Sequence, residues 1–208
     1  MRIASPLRGQ RGFTLAELLV ACAVIAFVMA GLLLMLQTGQ ESYLIGSNQV
    51  EAQQNVRLAI DRMIGEVRNA GYCPTCPGIV PPFASVTSQT SSGFTLQNDW
   101  NGNGSIASSG TVTDGSGTTR GEQIAYSLSS GALRRQETGV DTAAVTLASG
   151  INSLSFTYQD SAGTTTTASA NIRTIVITVK TQPSVAGASS QQGKVYVEMT
   201  DSVRLRNR

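Results

Sequence analysis

From Leu18 to Leu36 the chain runs for 19 residues without a charge. That is enough to cross a hydrocarbon core as a helix of about 20 residues. Residues 37–69 carry a second pattern. Val56, Ile60, Met63, Ile64 and Val67 recur at the spacing of one helical face, with Arg57, Asp61, Arg62, Glu66 and Arg68 largely off it. Together the two stretches predict one unusually long helix, from about Phe13 to about Asn69. Gly39 and Gly46 are its weak points, where a bend or local melting costs least. Arg68-Asn69-Ala70-Gly71-Tyr72 closes it, with Gly71 as a left-handed cap.

From Gly78 to Gly121 the chain is mostly Ser, Thr, Gly and Pro, with one strand predicted at Phe94-Thr95-Leu96-Gln97. Beyond Gly121 the period becomes two. Ile124, Tyr126 and Leu128 alternate with polar neighbours, and Ser129-Ser130-Gly131 predicts a hairpin turn into Ala132–Glu137. Leu154, Phe156 and Tyr158 form another such row, ended by Asp160-Ser161-Ala162-Gly163. Ile175, Ile177 and Val179 form the next; Val195, Val197, Met199, Val203 and Leu205 form the last. A sheet that is apolar on one face needs a cover, and the amphipathic half of the long helix is available. The expected fold class is α+β: one long N-terminal helix, its first half membrane-spanning, packed on an antiparallel β-sheet head.

Composition narrows the chemistry. The 208 residues carry a net charge of +2 and 13% charged residues. Without Arg2, Arg8 and Arg11 the 15 basic residues fall to 12 against 13 acidic, a net −1. This is no strongly basic nucleic-acid binder; Arg134-Arg135 and Arg204, Arg206 and Arg208 read as scattered solvent-facing arginines. With no histidine, Ser-His-Asp and Cys-His catalysis and every His-containing metal site are excluded. No constellation of residues supports an enzyme.

Arg2, Arg8 and Arg11 precede the apolar run with no acidic residue among them, so the short N-terminus is expected in the cytoplasm and the rest outside. Glu17 is anomalous, because an unpaired carboxylate at the start of a membrane span costs several kcal/mol and marks function. Around it, Gly12-Phe13-Thr14-Leu15-Ala16-Glu17-Leu18-Leu19 resembles the processing site of type IV pilins and type II secretion pseudopilins. The resemblance implies cleavage between Gly12 and Phe13 by a prepilin peptidase and N-methylation of Phe13. It also implies a filament-assembly role for Glu17, whose charge would be neutralised by a neighbouring subunit's terminal ammonium. The organisation it implies is 1–12 leader, 13–36 transmembrane and filament-core helix, 37–69 amphipathic spine, 70–208 β-rich head. A cleaved secretory signal would have a shorter apolar run without Glu17. Leu19-Val20-Ala21-Cys22 fits a lipoprotein box by pattern, but the apolar run continues far past Cys22.

Cys22 reads as a small apolar residue of the span. Cys73-Pro74-Thr75-Cys76 admits a local disulfide, a redox site or half of a metal site. A redox motif wants a following helix, which Pro77, Pro81 and Pro82 oppose, and a four-cysteine zinc site lacks its second pair. A short structural disulfide is the preferred reading. Asp99-Trp100-Asn101-Gly102-Asn103-Gly104-Ser105-Ile106 places the oxygens of Asp99, Asn101 and Asn103 as a calcium loop does, but its twelfth position is Gly110 rather than a bidentate carboxylate. Asp114 or Glu122 would have to complete it. The alternative is a pair of Asn-Gly turns tipped by an exposed Trp100.

Asp61-Arg62-Met63 with residues 68–72, Ile151–Tyr158 and the ending Val203–Arg208 resemble PilW-like minor pilins. The resemblance implies a structural subunit of a type IV pilus, with other minor and major pilins, prepilin peptidase and an inner-membrane assembly platform as partners. It implies an inner-membrane protein whose head is periplasmic before it enters the pilus. A minor pseudopilin of a type II secretion system is the alternative within this class, and an adhesin-type binding head contacting its ligand through Trp100 is the alternative outside it.

Overall fold

The computed structural model describes residues 12–76, 82–181 and 197–207, in two compact units, Met1–Gly46 and Ser47–Arg208. Helix α1, Leu15–Asn69, belongs to both and runs unbroken through Gly39 and Gly46. In the first unit every described residue up to Leu44 is exposed, Phe27 to 82% and Leu34 to 65%. A helix that is apolar all round needs an apolar surrounding. The segment is long and apolar enough to cross a membrane.

In the second unit α1 buries the stripe predicted from its spacing. Val56, Ala59, Ile60, Met63 and Val67 are all under 5% exposed, and Ile64 packs at the margin. Gly71, with φ +80°, ends the helix as expected, and a Cβ there would strike Ser85 Oγ. The strands that follow are β1 (Val86–Thr87), β2 (Gly93–Gln97), β3 (Val112–Thr113), β4 (Thr119–Arg120) and β5 (Gln123–Ser129). After them come β6 (Ala132–Glu137), β7 (Val145–Ala148), β8 (Ile151–Gln159), β9 (Thr174–Thr181) and β10 (Glu198–Arg204).

These strands form two larger antiparallel sheets, ordered β1-β2-β5-β6-β7 and β10-β9-β8, and a small β3-β4 pair. The β5–β6 hairpin turns at Ser130 and Gly131, both with positive φ, as a two-residue connection of matching twist requires. The alternating rows form strands as expected, and the structure pairs Phe94 with Tyr126 and Phe156 with Ile177. Both sheets and the buried stripe of α1 share one core. Phe94 sits between the sheets, edge-on to Phe156 at 4.8 Å and 5.4 Å from Tyr126. Tyr158 Oη donates to the carbonyls of Thr90 and Gly93 at 2.7 and 3.0 Å and ties β8 to the start of β2.

In the last strand Val203 and Leu205 are buried, while Val195 lies outside the described residues. The same row also holds Asp201, opposite Ile177 yet exposed. A charge in the inward row of an edge strand discourages pairing with another chain.

Candidate functional site

Residues 12–14 precede the helix, and Phe13 is 85% exposed, so the Gly12–Phe13 bond lies in non-helical, accessible chain. A peptidase needs that backbone extended and reachable. Thr14 is the N-cap of α1 and Glu17 its third residue, the spacing of a capping box. Glu17 Oε2 accepts the Thr14 backbone N–H at 2.9 Å and the Thr14 hydroxyl at 2.9 Å. Glu17 N–H in turn donates to Thr14 Oγ1 at 3.3 Å. Each side chain thus satisfies a backbone donor that a helix start leaves open. This local role of Glu17 was legible as Thr-x-x-Glu but was overshadowed by the cost of the charge.

In the other unit, the C-terminal end of α1 collects several loops. Tyr72 N–H donates to Asn98 Oδ1 and Asp99 N–H to the Tyr72 carbonyl. Asn207 Nδ2 caps the carbonyls of Asn69 and Ala70 at 3.0 and 3.3 Å. Cys73 and Cys76 form a disulfide with Cα atoms 5.5 Å apart, and Cys22 is free. Cys73 Sγ lies 3.1 Å from Asp99 Oδ2, and Thr75 Oγ donates to the Gly102 carbonyl, so the disulfide loop rests on the Asp99 loop.

Asp99 is fully buried. Its Oδ1 accepts the N–H groups of Gly102 and Asn103 at 2.7 and 3.1 Å, and its Oδ2 that of Gly104 at 2.6 Å. Asn101 Oδ1 accepts from Asn103 N–H and Asn103 Oδ1 from Ser105. Glu122, 1% exposed, takes the N–H groups of Trp100 and Ala107. Asp114 folds its own turn through Ser116 and Thr118 and pairs with Arg120 at 3.2 Å. The Ser116 hydroxyl bond, above all, holds the Asp114 carboxyl below its ordinary range. Tested against a hard cation, the donor set fits poorly: its carboxylates face backbone N–H groups, which close the loop.

Trp100, expected at an exposed tip, is instead half-buried. Its indole N–H donates to the Gly121 carbonyl at 3.1 Å, Tyr72 packs 5.2 Å from its ring centre and the Arg120 guanidinium 4.6 Å from it. The Glu122 clamp draws the ring in.

Arg135, expected to face solvent, is 7% exposed. Leu133 points inward on β6, and a period of two carries Arg135 and Glu137 inward as well. Three carboxylates meet the guanidinium: Glu66 at 3.0 Å, Glu137 at 2.7 Å and Asp141 at 3.3 Å. Tyr126 Oη also donates to Glu66. Burial, then the Glu66 charge, pushes the Tyr126 phenol far above its ordinary range. The alternation was available in the sequence; the pairing across 69 residues was not. Arg204 and Arg206 are exposed as expected, and Arg208 lies outside the described residues.

Residues 7–33 match the family described as the prokaryotic N-terminal methylation motif. The N-terminal segment is of the prepilin type. The prepilin-type segment thus includes Gly12, Phe13 and the Thr14–Glu17 cap, and its apolar helix fits membrane anchoring. The structure is similar to that of a type IV-like pilin from Thermus thermophilus, with a TM-score of 0.44, 11% identity, and coverage of 74% of this chain and 97% of that one. No curated protein matches the chain.

Proposed function

We propose that the chain is a minor pilin, a structural subunit of a type IV pilus and not an enzyme. The observation that carries this reading is the prepilin-type segment on the same unbroken helix whose far end packs under a β-rich head. Residues 1–12 are the leader, and cleavage after Gly12 leaves Phe13 as an N-methylated terminus. Residues 13–36 then anchor the chain in the inner membrane, N-terminus cytoplasmic, until it enters the filament core. There Glu17 pairs with a neighbouring subunit's terminal ammonium, which neutralises both charges away from water. Residues 37–69 carry the head, 70–208, to its contacts with minor and major pilins. The PilW-like likeness rests on residues outside the matched segment and supports a position near the filament tip.

The test is mass spectrometry of the mature protein from cells with active prepilin peptidase. An N-methylated Phe13 is expected, and its loss in Gly12→Val. A terminus at Cys22, or an intact Met1, overturns the reading. Co-purification with pilus rather than secretion components separates a pilin from a pseudopilin.

A further inference from the structure

The loop after Asp99 carries Asn101-Gly102 and Asn103-Gly104 in tandem. In an Asn-Gly pair the glycine nitrogen can attack the asparagine Cγ, because the glycine has no side chain to hinder the approach. A succinimide ring closes and ammonia leaves. Two things limit that attack: the proton on the glycine nitrogen must go, and charge gathers on the asparagine Oδ1.

Both needs are met here by groups already in place. Gly102 N lies 2.7 Å from Asp99 Oδ1 and Gly104 N 2.6 Å from Asp99 Oδ2, each donating to it. One fully buried carboxylate is thus within the reach of a general base for both nucleophiles. At the two amide carbonyls the pairs differ. Asn101 Oδ1 accepts from Asn103 N–H alone among the described residues, at 3.0 Å. Asn103 Oδ1 accepts from Ser105 twice, from its N–H at 2.8 Å and its hydroxyl at 2.9 Å. Two donors at that range on one carbonyl oxygen are placed as in an oxyanion hole. Asn103 is exposed, so water can enter and ammonia can leave. A Cβ built on Gly104 would meet nothing within 4 Å, so a tetrahedral intermediate has room.

We propose that Asn103 is a self-modifying site, deamidated by its own loop. Gly104 N attacks Asn103 Cγ while Asp99 takes its proton and Ser105 holds the oxyanion. The Cγ–Nδ2 bond then breaks, and the amide nitrogen leaves as ammonia with the proton that Asp99 held. Water opens the succinimide at either carbonyl, to aspartate or to isoaspartate. The net change is amide plus water to carboxylate plus ammonium. Each event adds a negative charge to the loop. Isoaspartate also lengthens the backbone before Gly104, which draws its N–H off Asp99 and loosens the loop beside Trp100. The inference does not rest on the pilin reading and goes beyond it.

The test is a time course on the freshly purified full chain in detergent at neutral pH. Samples are digested with pepsin in acid, and the peptides that contain residues 99–106 are quantified by mass spectrometry. Asn103 should lose its amide faster than Asn101, and faster than it does in the chain unfolded in urea, with isoaspartate among the products. Ser105→Ala, at an exposed position, should slow Asn103 about threefold to tenfold, the loss of one hydrogen bond, and leave Asn101 unchanged. Asp99→Asn should slow both by about a hundredfold, the lower end for loss of a general base, with folding checked by near-UV circular dichroism. If that variant does not fold, Ser105→Ala decides. Slower loss at Asn103 in the folded chain than in urea, equal rates at Asn101 and Asn103, or no effect of Ser105→Ala overturns the proposal.

Discussion

The Arg135 Nε on β6 donates to both carboxylate oxygens of Glu66 on α1, each at 3.0 Å. With the bond from Tyr126 Oη to the same carboxylate, it joins the helix to the five-stranded sheet beside their shared apolar core. Glu137 and Asp141 add two more carboxylates, so the guanidinium is held from three sides. Those bonds outweigh the burial that works against its charge and keep Arg135 protonated at any ordinary pH.

Removing the cation should therefore cost more than removing one anion. Arg135→Met leaves three carboxylates facing each other and is expected to approach the 3–5 kcal/mol of a broken buried pair. Glu66→Gln keeps the shape and leaves two partners for Arg135, at a cost of about 1–3 kcal/mol. Urea unfolding of the two variants gives both values, and a reversed order would mean that the knot is held by packing rather than charge.

Stability should fall at alkaline pH. Tyr126 and Tyr158 are both raised well above their ordinary value, chiefly by burial. Below about pH 10 the phenols are protonated in folded and unfolded chains alike, and this stability is fully present. Above it the unfolded chain releases protons that the folded one keeps, so stability declines by about 1.4 kcal/mol per pH unit for each tyrosine. Tyr126→Phe should remove about half of that slope in unfolding measured on either side of pH 10. An unchanged slope would place the titrating groups elsewhere.

The disulfide should matter more for the Trp100 loop than for the fold. A four-residue closure limits the entropic benefit to about 2 kcal/mol. Thiol labelling without reduction should mark Cys22 and neither Cys73 nor Cys76. Reduction should change Trp100 emission, because the 73–76 loop rests on Asp99 and Gly102, while the midpoint of unfolding moves little. Labelling at Cys73 or Cys76 in the native protein would reopen the metal and redox readings.

Asp99→Ala should loosen the loop with or without calcium, since its carboxylate holds three backbone N–H groups. The comparison is of melting temperature with and without millimolar calcium, the range in which weak extracellular sites fill. An equal loss in both conditions is expected. Calcium-dependent stabilisation of the parent, absent from the variant, would establish the cation site that the Asp99, Asn101 and Asn103 spacing suggests.

For Glu17, two roles are separable by one substitution. Glu17→Gln keeps an acceptor for Thr14 N–H and so preserves the capping box, but it removes the charge. If the charge pairs with a neighbour, the variant should insert and be cleaved yet enter filaments as poorly as Glu17→Val, read by immunoblot of sheared pili. Normal incorporation of Glu17→Gln would reduce Glu17 to a helix cap.

Elements governed by local periodicity were readable in advance. Met63 and Val67 sit on a stripe that spacing alone reveals, and Phe156 and Ile177 on rows of period two. What escaped depends on chain segments far apart. Trp100 is drawn in by Glu122, and Arg135 by Glu66, and neither partner is marked by its immediate neighbours. The short strands β1, β3 and β4 escaped because two residues hold no period. At Asp99 the spacing resembles that of a calcium loop, but side-chain oxygens so spaced serve a cation or backbone N–H groups equally well.

Asn207 closes the carbonyl end of α1 across a sequence separation of 138 residues, and this sets an order on folding. A chain that emerges N-terminus first has made its helix long before the residue that seals its end exists. Until then the stripe from Val56 to Val67 has no complete sheet to lie on, since β10 also arrives late. Contacts so distant in sequence form slowly. The head must therefore pass through a stage with its apolar seam uncovered, and it is at that stage, rather than once folded, that it is most exposed to aggregation and proteolysis.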